Sequence, residues 1–184
     1  MATVLVPLAE GFEELEAVTV IDLLRRAGIE VVVAGLHEGP VRGSRGTVIL
    51  TDIPLDAVMD RDFDMMVLPG GLPGADHLNA DPRIHELLRR TAEGGRYVAA
   101  ICAAPKVLAS AGLLDNRHAT SFPGVLDNAG VPGLSYETRA VVQDGRVITS
   151  RGPGTAMDFA LALIEALAGP DRRREVEAPL QRPV

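Results

Sequence analysis

The 184-residue sequence has one cysteine, Cys102, and no tryptophan, and aromatic residues make up only 3% of it. A single cysteine excludes an internal disulfide bond and any zinc site built from several thiolates, so we expect neither a metal nor a cofactor. Chains without disulfides are typical of reducing compartments, which predicts a cytoplasmic location. Because aromatic rings are scarce, Ala, Val, Leu and Ile must fill the interior, and such a core suits helices packed closely on a parallel sheet.

Positive charge is also scarce. The formal net charge is −7, and the 18 basic residues include a single lysine, Lys106. Since no basic stripe is present to meet a phosphate backbone, we do not expect nucleic acid as a partner. No stretch approaches the roughly 18 uninterrupted apolar residues of a membrane helix, and Met1–Gly11 lacks the positive region of a signal peptide. We therefore predict no membrane association and interpret this N-terminal segment as a first strand.

The length and the 47% hydrophobic content fit one domain over residues 1–184. The longest basic run, Arg172–Arg174, is flanked by Asp171 and Glu175. Alternating charges of this kind are typical of a solvated surface. We therefore interpret residues 171–184 as a C-terminal tail.

The segment Tyr97–Leu114 organises the rest of the chain. Tyr97–Ile101 is an apolar run with strand character, and the small helix formers from Ala103 onward lead to a stop at Gly112. Cys102 therefore lies where a strand becomes a helix, as in a nucleophile elbow, and a helix N-terminus favours a thiolate. The alternative is a buried cysteine that acts as a small hydrophobic residue.

Strand and helix patterns alternate along the chain. Strands are predicted at Val4–Leu8, Ile29–Leu36, Phe63–Leu68, Tyr97–Ile101 and Ala119–Phe122, short extended pieces near Val41 and at Thr47–Thr51, and a hairpin around Asp144-Gly145. Pro7 is awkward for a central strand, so we expect it near the strand end, at a bulge. The alternation predicts an α/β sandwich with a mainly parallel sheet. The carboxyl ends of three strands would then bring Glu10–Glu16, Gly70-Gly71 and Cys102 to one edge.

Three carboxylates, Glu13, Glu14 and Glu16, precede or begin the first predicted helix. At least one of them should face the thiol, because successive helical residues turn by roughly 100°. The pattern alone does not choose which. An ionised carboxylate would raise the pKa of Cys102, so a working pair needs a protonated glutamic acid that donates to the sulfur.

Histidine normally supplies the base of a cysteine hydrolase. The four histidines, His37, His77, His85 and His118, all lie away from Cys102 in the sequence. A Cys-His-Asp triad would need one of them beside Cys102 in the folded protein. The sequence offers no argument for such a triad.

Five segments carry a family resemblance. They are A-E-G-F-E-E-L-E-A-V from Ala9, D-L-L-R-R-A-G-I-E-V from Asp22, V-L-P-G-G from Val67, A-A-I-C-A-A-P from Ala99 and T-S-R-G-P-G-T from Thr149. In this order they resemble the ThiJ/PfpI superfamily, and most closely its branch of the parkinsonism-associated deglycase and bacterial YajL. The similarity extends from Val4 to about Leu180. It implies a flavodoxin-like three-layer fold and a homodimer.

The resemblance also implies roles for individual residues. Cys102 matches an oxidation-sensitive nucleophile, and Glu16 matches a protonated acid that contacts the sulfur. Gly71 and Ala103 match positions whose amides form an oxyanion pocket, which Gly70 shapes. At the expected dimer interface, Glu13 and Arg45 match a pair across the two subunits, and Arg26 matches another arginine near the site.

One departure stands out. Animal members carry a histidine in a Thr-His-Pro segment where this sequence has Ser121-Phe122-Pro123, which removes a candidate proton shuttle. Ala103 after Cys102 also differs from the Cys-His dipeptide of the intracellular-protease branch, so peptidase activity is not expected.

The resemblance implies a glyoxalase or deglycase that acts on methylglyoxal, glyoxal or their early protein adducts, with a role in oxidative and carbonyl stress. The alternative is a redox-sensing, chaperone-like protein that responds through oxidation of Cys102.

Overall fold

The computed structural model describes residues 1–182. A seven-stranded sheet runs through it in the order β10-β11-β7-β6-β1-β2-β5. Its strands are β1 (Thr3–Leu8), β2 (Glu30–Gly35), β5 (Ile53–Pro54), β6 (Met65–Leu68), β7 (Tyr97–Ile101), β10 (Val141–Asp144) and β11 (Val147–Ser150). All neighbouring pairs are parallel except the β10–β11 hairpin at one edge. The predicted mainly parallel sheet is confirmed.

Two short two-stranded sheets lie outside the main one. They are the antiparallel pair β3 (Pro40–Arg42) and β4 (Val48–Leu50), and the parallel pair β8 (His118–Ala119) and β9 (Ser135–Tyr136). The extended pieces predicted near Val41 and Thr47 thus form a hairpin. The strand predicted over Ala119–Phe122 is only partly correct, because the structure ends it at Ala119.

Helices cover both faces of the sheet. They are α1 (Glu14–Arg26), α2 (Gly74–Ala80), α3 (Pro82–Glu93), α4 (Pro105–Ser110) and α5 (Ala156–Glu177), with 3-10 turns at Leu55–Val58, Pro153–Thr155 and Ala178–Leu180. The flavodoxin-like three-layer sandwich is therefore observed. Helix α2 was not predicted, since its sequence follows a Pro- and Gly-rich turn and has no long apolar stripe.

The core divides into two apolar layers because side chains alternate along each strand. Val4 and Val6 of β1 pack toward α1 and α5, whereas Leu5 packs toward α3 and α4. Both faces of β1 are thus buried, as expected of a central parallel strand.

Pro7 lies within β1 rather than at a bulge. The register between β1 and β2 runs without a break from Thr3 opposite Glu30 to Leu8 opposite Gly35. Pairing between β1 and β6 is recorded only at Val4 and Leu5. The proline therefore falls beyond this pairing, and the expected bulge is absent.

The segment from residue 171 is not a solvated tail over its described length. Helix α5 is interrupted at Gly169, whose φ of 86° allows a sharp change of direction, and the chain then resumes a helix. Arg172 donates from Nε to the Ala27 carbonyl at 2.9 Å, and Val176 is buried. The expected tail is therefore wrong through residue 180, because these contacts hold it against the end of α1.

Candidate active site

Cys102 directly follows β7 in a strained backbone conformation. Its φ is 63°, in the left-handed region that residues other than glycine rarely adopt. Its N–H donates to the Ser150 carbonyl at 3.0 Å, and its own carbonyl accepts from the Phe122 N–H at 2.9 Å. Main-chain hydrogen bonds on both sides thus hold the sharp turn, as in a nucleophile elbow. The side chain is only 9% exposed.

The helix after Cys102 begins later than predicted. Helix α4 starts at Pro105 and has six residues, so the sulfur does not lie at its first residue. The main-chain amides that lower the pKa of the Cys102 thiol belong to Gly71 and Ala103. Stabilisation of negative charge here therefore comes from two turn amides rather than from the helix terminus that we expected.

Glu16 is the carboxylate that faces Cys102. Its side chain is fully buried, and its Oε2 accepts a hydrogen bond from the Gly70 N–H at 2.8 Å. Its second oxygen, Oε1, is buried without a well-formed hydrogen bond among the described residues. The Cys102 thiol is the polar side chain that interacts with this carboxyl, and Oε1 is the carboxyl oxygen that does not accept from the Gly70 N–H.

Burial raises the pKa of Glu16 to about 7, against the Gly70 hydrogen bond, which lowers it. Burial, and then the charge of Glu16, raises the pKa of the Cys102 thiol to about 12, whereas the amides of Gly71 and Ala103 lower it. A thiolate beside an ionised Glu16 is therefore disfavoured, so a thiolate at Cys102 requires Glu16 to carry the proton.

The two groups behave as a coupled pair. When Glu16 carries the proton, the repulsion that raises the pKa of Cys102 disappears, and the neutral carboxyl can donate to the sulfur. The site thus holds one negative charge that moves between sulfur and carboxylate as the proton moves the other way.

Two glycines make this close approach possible. A Cβ on Gly70 would lie 2.6 Å from the Cys102 Cβ and 2.7 Å from Glu16 Oε2. At Gly71, where φ is 90°, a Cβ would lie 2.4 Å from the Glu13 backbone nitrogen. A residue larger than glycine at either position would push apart the segments that carry the Cys102 thiol and the Glu16 carboxyl.

The predicted interface residues are spread along the chain. Glu13 caps α1, since its Oε2 accepts from the Glu16 N–H at 2.8 Å. The Arg45 N–H donates to Glu14 Oε1 at 2.7 Å, so this hairpin turn is attached to the start of α1. Arg26 pairs with Asp22 at 2.7 Å at the opposite end of the helix. At a rise of about 1.5 Å per residue it lies roughly 15 Å along the axis from Glu16, so it does not reach the site of its own chain, and its place at a dimer interface stays a prediction.

The histidines make hydrogen bonds elsewhere. Nδ1 of His77 lies 2.9 Å from the Glu10 carbonyl, Nε2 of His85 2.8 Å from the Asn79 carbonyl, and Nδ1 of His118 2.9 Å from Glu137 Oε1. His37 acts electrostatically on Asp81. Within residues 1–182, no histidine is among the groups that shift the Cys102 pKa, so a Cys-His-Asp triad finds no support.

Arg151 is a candidate site residue that was not predicted from the sequence. It lies just after β11, beside Phe122, where the two line a groove with Pro123 and the loop 152–155. The sequence does contain a signal for Arg151. The Gly- and Pro-rich run that begins at Gly152 follows the carboxyl end of a parallel strand, at the same sheet edge as Cys102.

The chain is similar to known proteins in sequence. Residues 2–166 match the model of the DJ-1/PfpI family. The chain belongs to this family. It is 47% identical over 174 residues to Protein dj-1beta of Drosophila melanogaster, covering 94% of this chain and 92% of that protein. It is 39% identical over 179 residues to the Glutathione-independent glyoxalase DJR-1.2 of Caenorhabditis elegans, covering 97% of this chain and 95% of the relative.

Solved structures agree with this assignment. The crystal structure of Drosophila melanogaster DJ-1beta superposes with a TM-score of 0.94 at 43% identity, covering 100% of this chain and 99% of that one. The ThiJ/PfpI resemblance predicted from the five motifs is therefore confirmed. Within the described part of this family member, no helix has the length and apolar character needed to cross a bilayer.

Proposed function

We propose that the protein is a cysteine-dependent, cofactor-independent enzyme that converts α-oxoaldehydes, such as methylglyoxal and glyoxal, into hydroxy acids. The observation that carries this proposal is the buried Glu16 carboxyl, with its pKa raised to about 7, against the Cys102 thiol. A group that titrates near neutral pH can both donate and accept a proton during one turnover. The glyoxalase name of the Caenorhabditis elegans relative supports the same activity.

The reaction begins with transfer of the thiol proton to Glu16, which creates the nucleophile. The Cys102 sulfur then adds to the aldehyde carbon, a C–S bond forms, and the carbonyl π electrons move to oxygen. The amides of Gly71 and Ala103, which lower the pKa of the thiol in the resting site, would donate to this oxygen. Protonation of the oxygen by Glu16 gives a hemithioacetal.

Glu16, again a carboxylate, next removes the proton from the former aldehyde carbon and returns it to the adjacent carbon. This 1,2-shift passes through an enediol and converts the hemithioacetal into a thioester of the hydroxy acid. Water then cleaves the thioester, releasing the hydroxy acid and the thiol. The sum is one oxoaldehyde plus one water, with no external oxidant or reductant, so the reaction needs no cofactor.

The same steps apply to the early adducts that oxoaldehydes form with protein side chains. Attack by Cys102 on the adduct carbon would release the amine or guanidine as leaving group. We extend the proposal to this deglycase activity and to a role in carbonyl stress.

Purified protein supplied with methylglyoxal should form lactate, as measured by chromatography. Cys102→Ser should reduce kcat at least about a hundredfold, because an alkoxide nucleophile is far harder to form at neutral pH. Glu16→Gln removes proton transfer and should cost roughly 10²- to 10⁴-fold. The exposed Glu86→Gln serves as the matched control. Unchanged rates in both site variants would contradict the mechanism.

A second candidate is a redox-responsive, chaperone-like protein. It is favoured by the buried Glu16 Oε1, which has no hydrogen-bond partner within residues 1–182, because a protonated Glu16 could donate to an oxygen of a Cys102 sulfinate. Intact mass after mild peroxide separates the two. A gain of two oxygen atoms at Cys102 without aldehyde turnover would favour this function, whereas turnover without stable oxidation would favour the enzyme.

We also propose a homodimer that uses α1 and the β3–β4 hairpin. Leu15 and Val18 on α1 are 61% and 46% exposed, and Val48 and Leu50 on β4 are 49% and 77% exposed. Val18 and Leu50 line one shallow groove, and Leu15 and Val48 lie on the same two elements, α1 and β4. A second copy of the chain would bury these side chains. Sedimentation of wild type and Leu50→Glu tests this, with a dimer expected only for wild type.

A further inference from the structure

A groove of about 320 Å³ lies on the β11 side of Cys102. Its walls are Phe122, Pro123 and the loop from Arg151 to Thr155, and we call it the Phe122 groove. It is joined to the elbow through the main chain, because the Cys102 carbonyl accepts from Phe122 and the Cys102 N–H donates to Ser150, the residue before Arg151. The reacting sulfur and the groove are therefore held in a fixed relation.

The apolar wall of the groove is rigid and accessible. Phe122 is 49% exposed, and its ring lies against the backbone of Gly152, where a Cβ would be 3.5 Å from Cδ2. Pro123 and Pro153 have fixed φ angles and no backbone N–H. This wall presents an aromatic edge and two pyrrolidine rings, to which a flat apolar group can pack with little ordering cost.

Arg151 supplies the polar wall. Its Nη1 donates to the Thr138 carbonyl at 3.3 Å, whereas its Nε is buried and has no hydrogen-bond partner among residues 1–182. No ion pair of Arg151 with a carboxylate is recorded for that part of the chain, although most of the arginines there have one. A half-buried guanidinium without a counterion favours an anionic ligand.

We propose that the Phe122 groove binds the substituent of an α-oxoaldehyde larger than methylglyoxal, with an apolar, flat segment against Phe122 and a carboxylate at Arg151. This inference rests on the proposed function for the identity of the reacting group. A methyl substituent is too small to fill a groove of about 320 Å³, whereas an aryl carboxylate offers a flat apolar group to the Phe122 wall and an anion to Arg151. Substrate specificity then depends on the groove beyond the end of β11. The reaction itself depends on the glycine turn beyond the end of β6, next to Cys102 and Glu16.

The test compares three probes: methylglyoxal, phenylglyoxal and 4-carboxyphenylglyoxal. In Phe122→Ala, the ratio of kcat/KM for phenylglyoxal to that for methylglyoxal should fall roughly fivefold. In Arg151→Gln, the ratio of the carboxylated to the plain aryl probe should fall about tenfold. The exposed Arg89→Gln should keep both ratios. Initial rates are used, and intact mass verifies that the probes have not modified arginines.

A second measurement does not depend on turnover. Bound 4-carboxymandelate should slow alkylation of Cys102 by iodoacetamide in wild type, more than lactate does, and Arg151→Gln should remove most of this protection. If no probe is turned over but the protection is observed, the proposed function fails and the groove assignment stands. If turnover occurs and both ratios and the protection are unaffected by the two variants, the function stands and the groove assignment is overturned. The latter result is also expected if a second copy of the chain covers the groove.

Discussion

The two sides of the Cys102 elbow are built differently. On the β6 side, a Cβ on Gly70 or Gly71 would lie within 2.4–2.6 Å of main-chain or Cβ atoms of Glu13 and Cys102. On the β11 side, Gly154 has no neighbour within 4 Å of where its Cβ would be. The β6 side is closed by main-chain atoms against Gly71 and by atoms of Cys102 and Glu16 against Gly70, and the β11 side is bounded by side chains.

This difference separates the geometry of the reacting groups from the lining of the groove. Backbone contacts cannot be altered by most substitutions, so the β6 side keeps sulfur, carboxyl and turn amides at fixed distances. The β11 side can change its lining without moving them. The departure from the family resemblance, Phe122 in place of histidine, falls on this second side.

The largest expected effect on stability comes from adding a methyl group to the tightly packed glycine turn on the β6 side. Gly71→Ala places a methyl group 2.4 Å from the Glu13 nitrogen at a φ of 90°, which combines backbone strain with overpacking. We expect the free energy of unfolding to fall by about 3 kcal/mol or more. Urea denaturation followed by circular dichroism measures this.

Gly154→Ala is the matched control on the β11 side. With open space around it, the variant should stay within about 0.5 kcal/mol of wild type. If Gly71→Ala and Gly154→Ala lowered the free energy of unfolding equally, the two sides would be packed alike, and the proposed difference between them would be wrong.

The second effect concerns the charge held on the closed side. The pKa of Glu16 is about 7 in the folded protein, against an ordinary value of 4.5. The unfolded chain releases this proton at lower pH, so the free energy of unfolding should fall as the pH rises from about 4.5 to 7. The difference between the two pKa values corresponds to about 3 kcal/mol of the free energy of unfolding, and this contribution is lost above pH 7. The Cys102 thiol has an ordinary pKa of 9.0 and a folded value of about 12, so it titrates above this window.

Glu16→Gln isolates this contribution. Urea unfolding at pH 5, 6, 7 and 8 should show that the variant loses about 2.5 kcal/mol less than wild type across the range, and Glu86→Gln should follow wild type. Parallel curves for wild type and Glu16→Gln would show that the buried carboxyl does not titrate near neutrality.

Much of the fold was predictable because its signals are local. Buried strands such as Met65–Leu68 are continuous apolar runs, and the order of strands and helices restricts the sheet to few topologies. Helix α2 and the resumption of α5 after Gly169 were missed for a common reason. Proline and glycine mark both places as breaks, and only contacts from distant residues, such as the Arg172 bond to Ala27, stabilise a helix there.

The candidate site was predictable in its members but not in its electrostatics. Strand order places Cys102 and the Gly70-Gly71 turn at one edge, yet the choice of Glu16 over Glu13 came from the resemblance. In the structure it depends on the rotation of α1, which the Glu13 cap helps to fix. The sequence predicted opposing effects of a helix terminus and a nearby carboxylate on the pKa of Cys102, whereas in the structure burial has the largest effect, followed by the charge of Glu16.

The smallest effect tests how the open side is held. Ser150 Oγ lies 2.7 Å from both the Ala140 carbonyl and Thr155 Oγ1, and Thr155 Oγ1 also accepts from the Gly152 N–H at 3.1 Å. Side-chain hydrogen bonds of this kind are worth less than the avoided backbone clashes on the β6 side. Ser150→Ala should therefore lower the free energy of unfolding by only about 1–2 kcal/mol, mainly because a buried acceptor is left unpaired.

The exposed Ser110→Ala should change stability by less than about 0.5 kcal/mol and serves as the control for Ser150→Ala. If the two-sided description holds, Ser150→Ala should shift the ratio of kcat/KM between aryl and methyl oxoaldehydes more than it shifts kcat for methylglyoxal, because the loop that it anchors lines the Phe122 groove. A loss above about 3 kcal/mol, or an equal loss for both probes, would mean that the β11 side fixes the reacting atoms as firmly as the β6 side does.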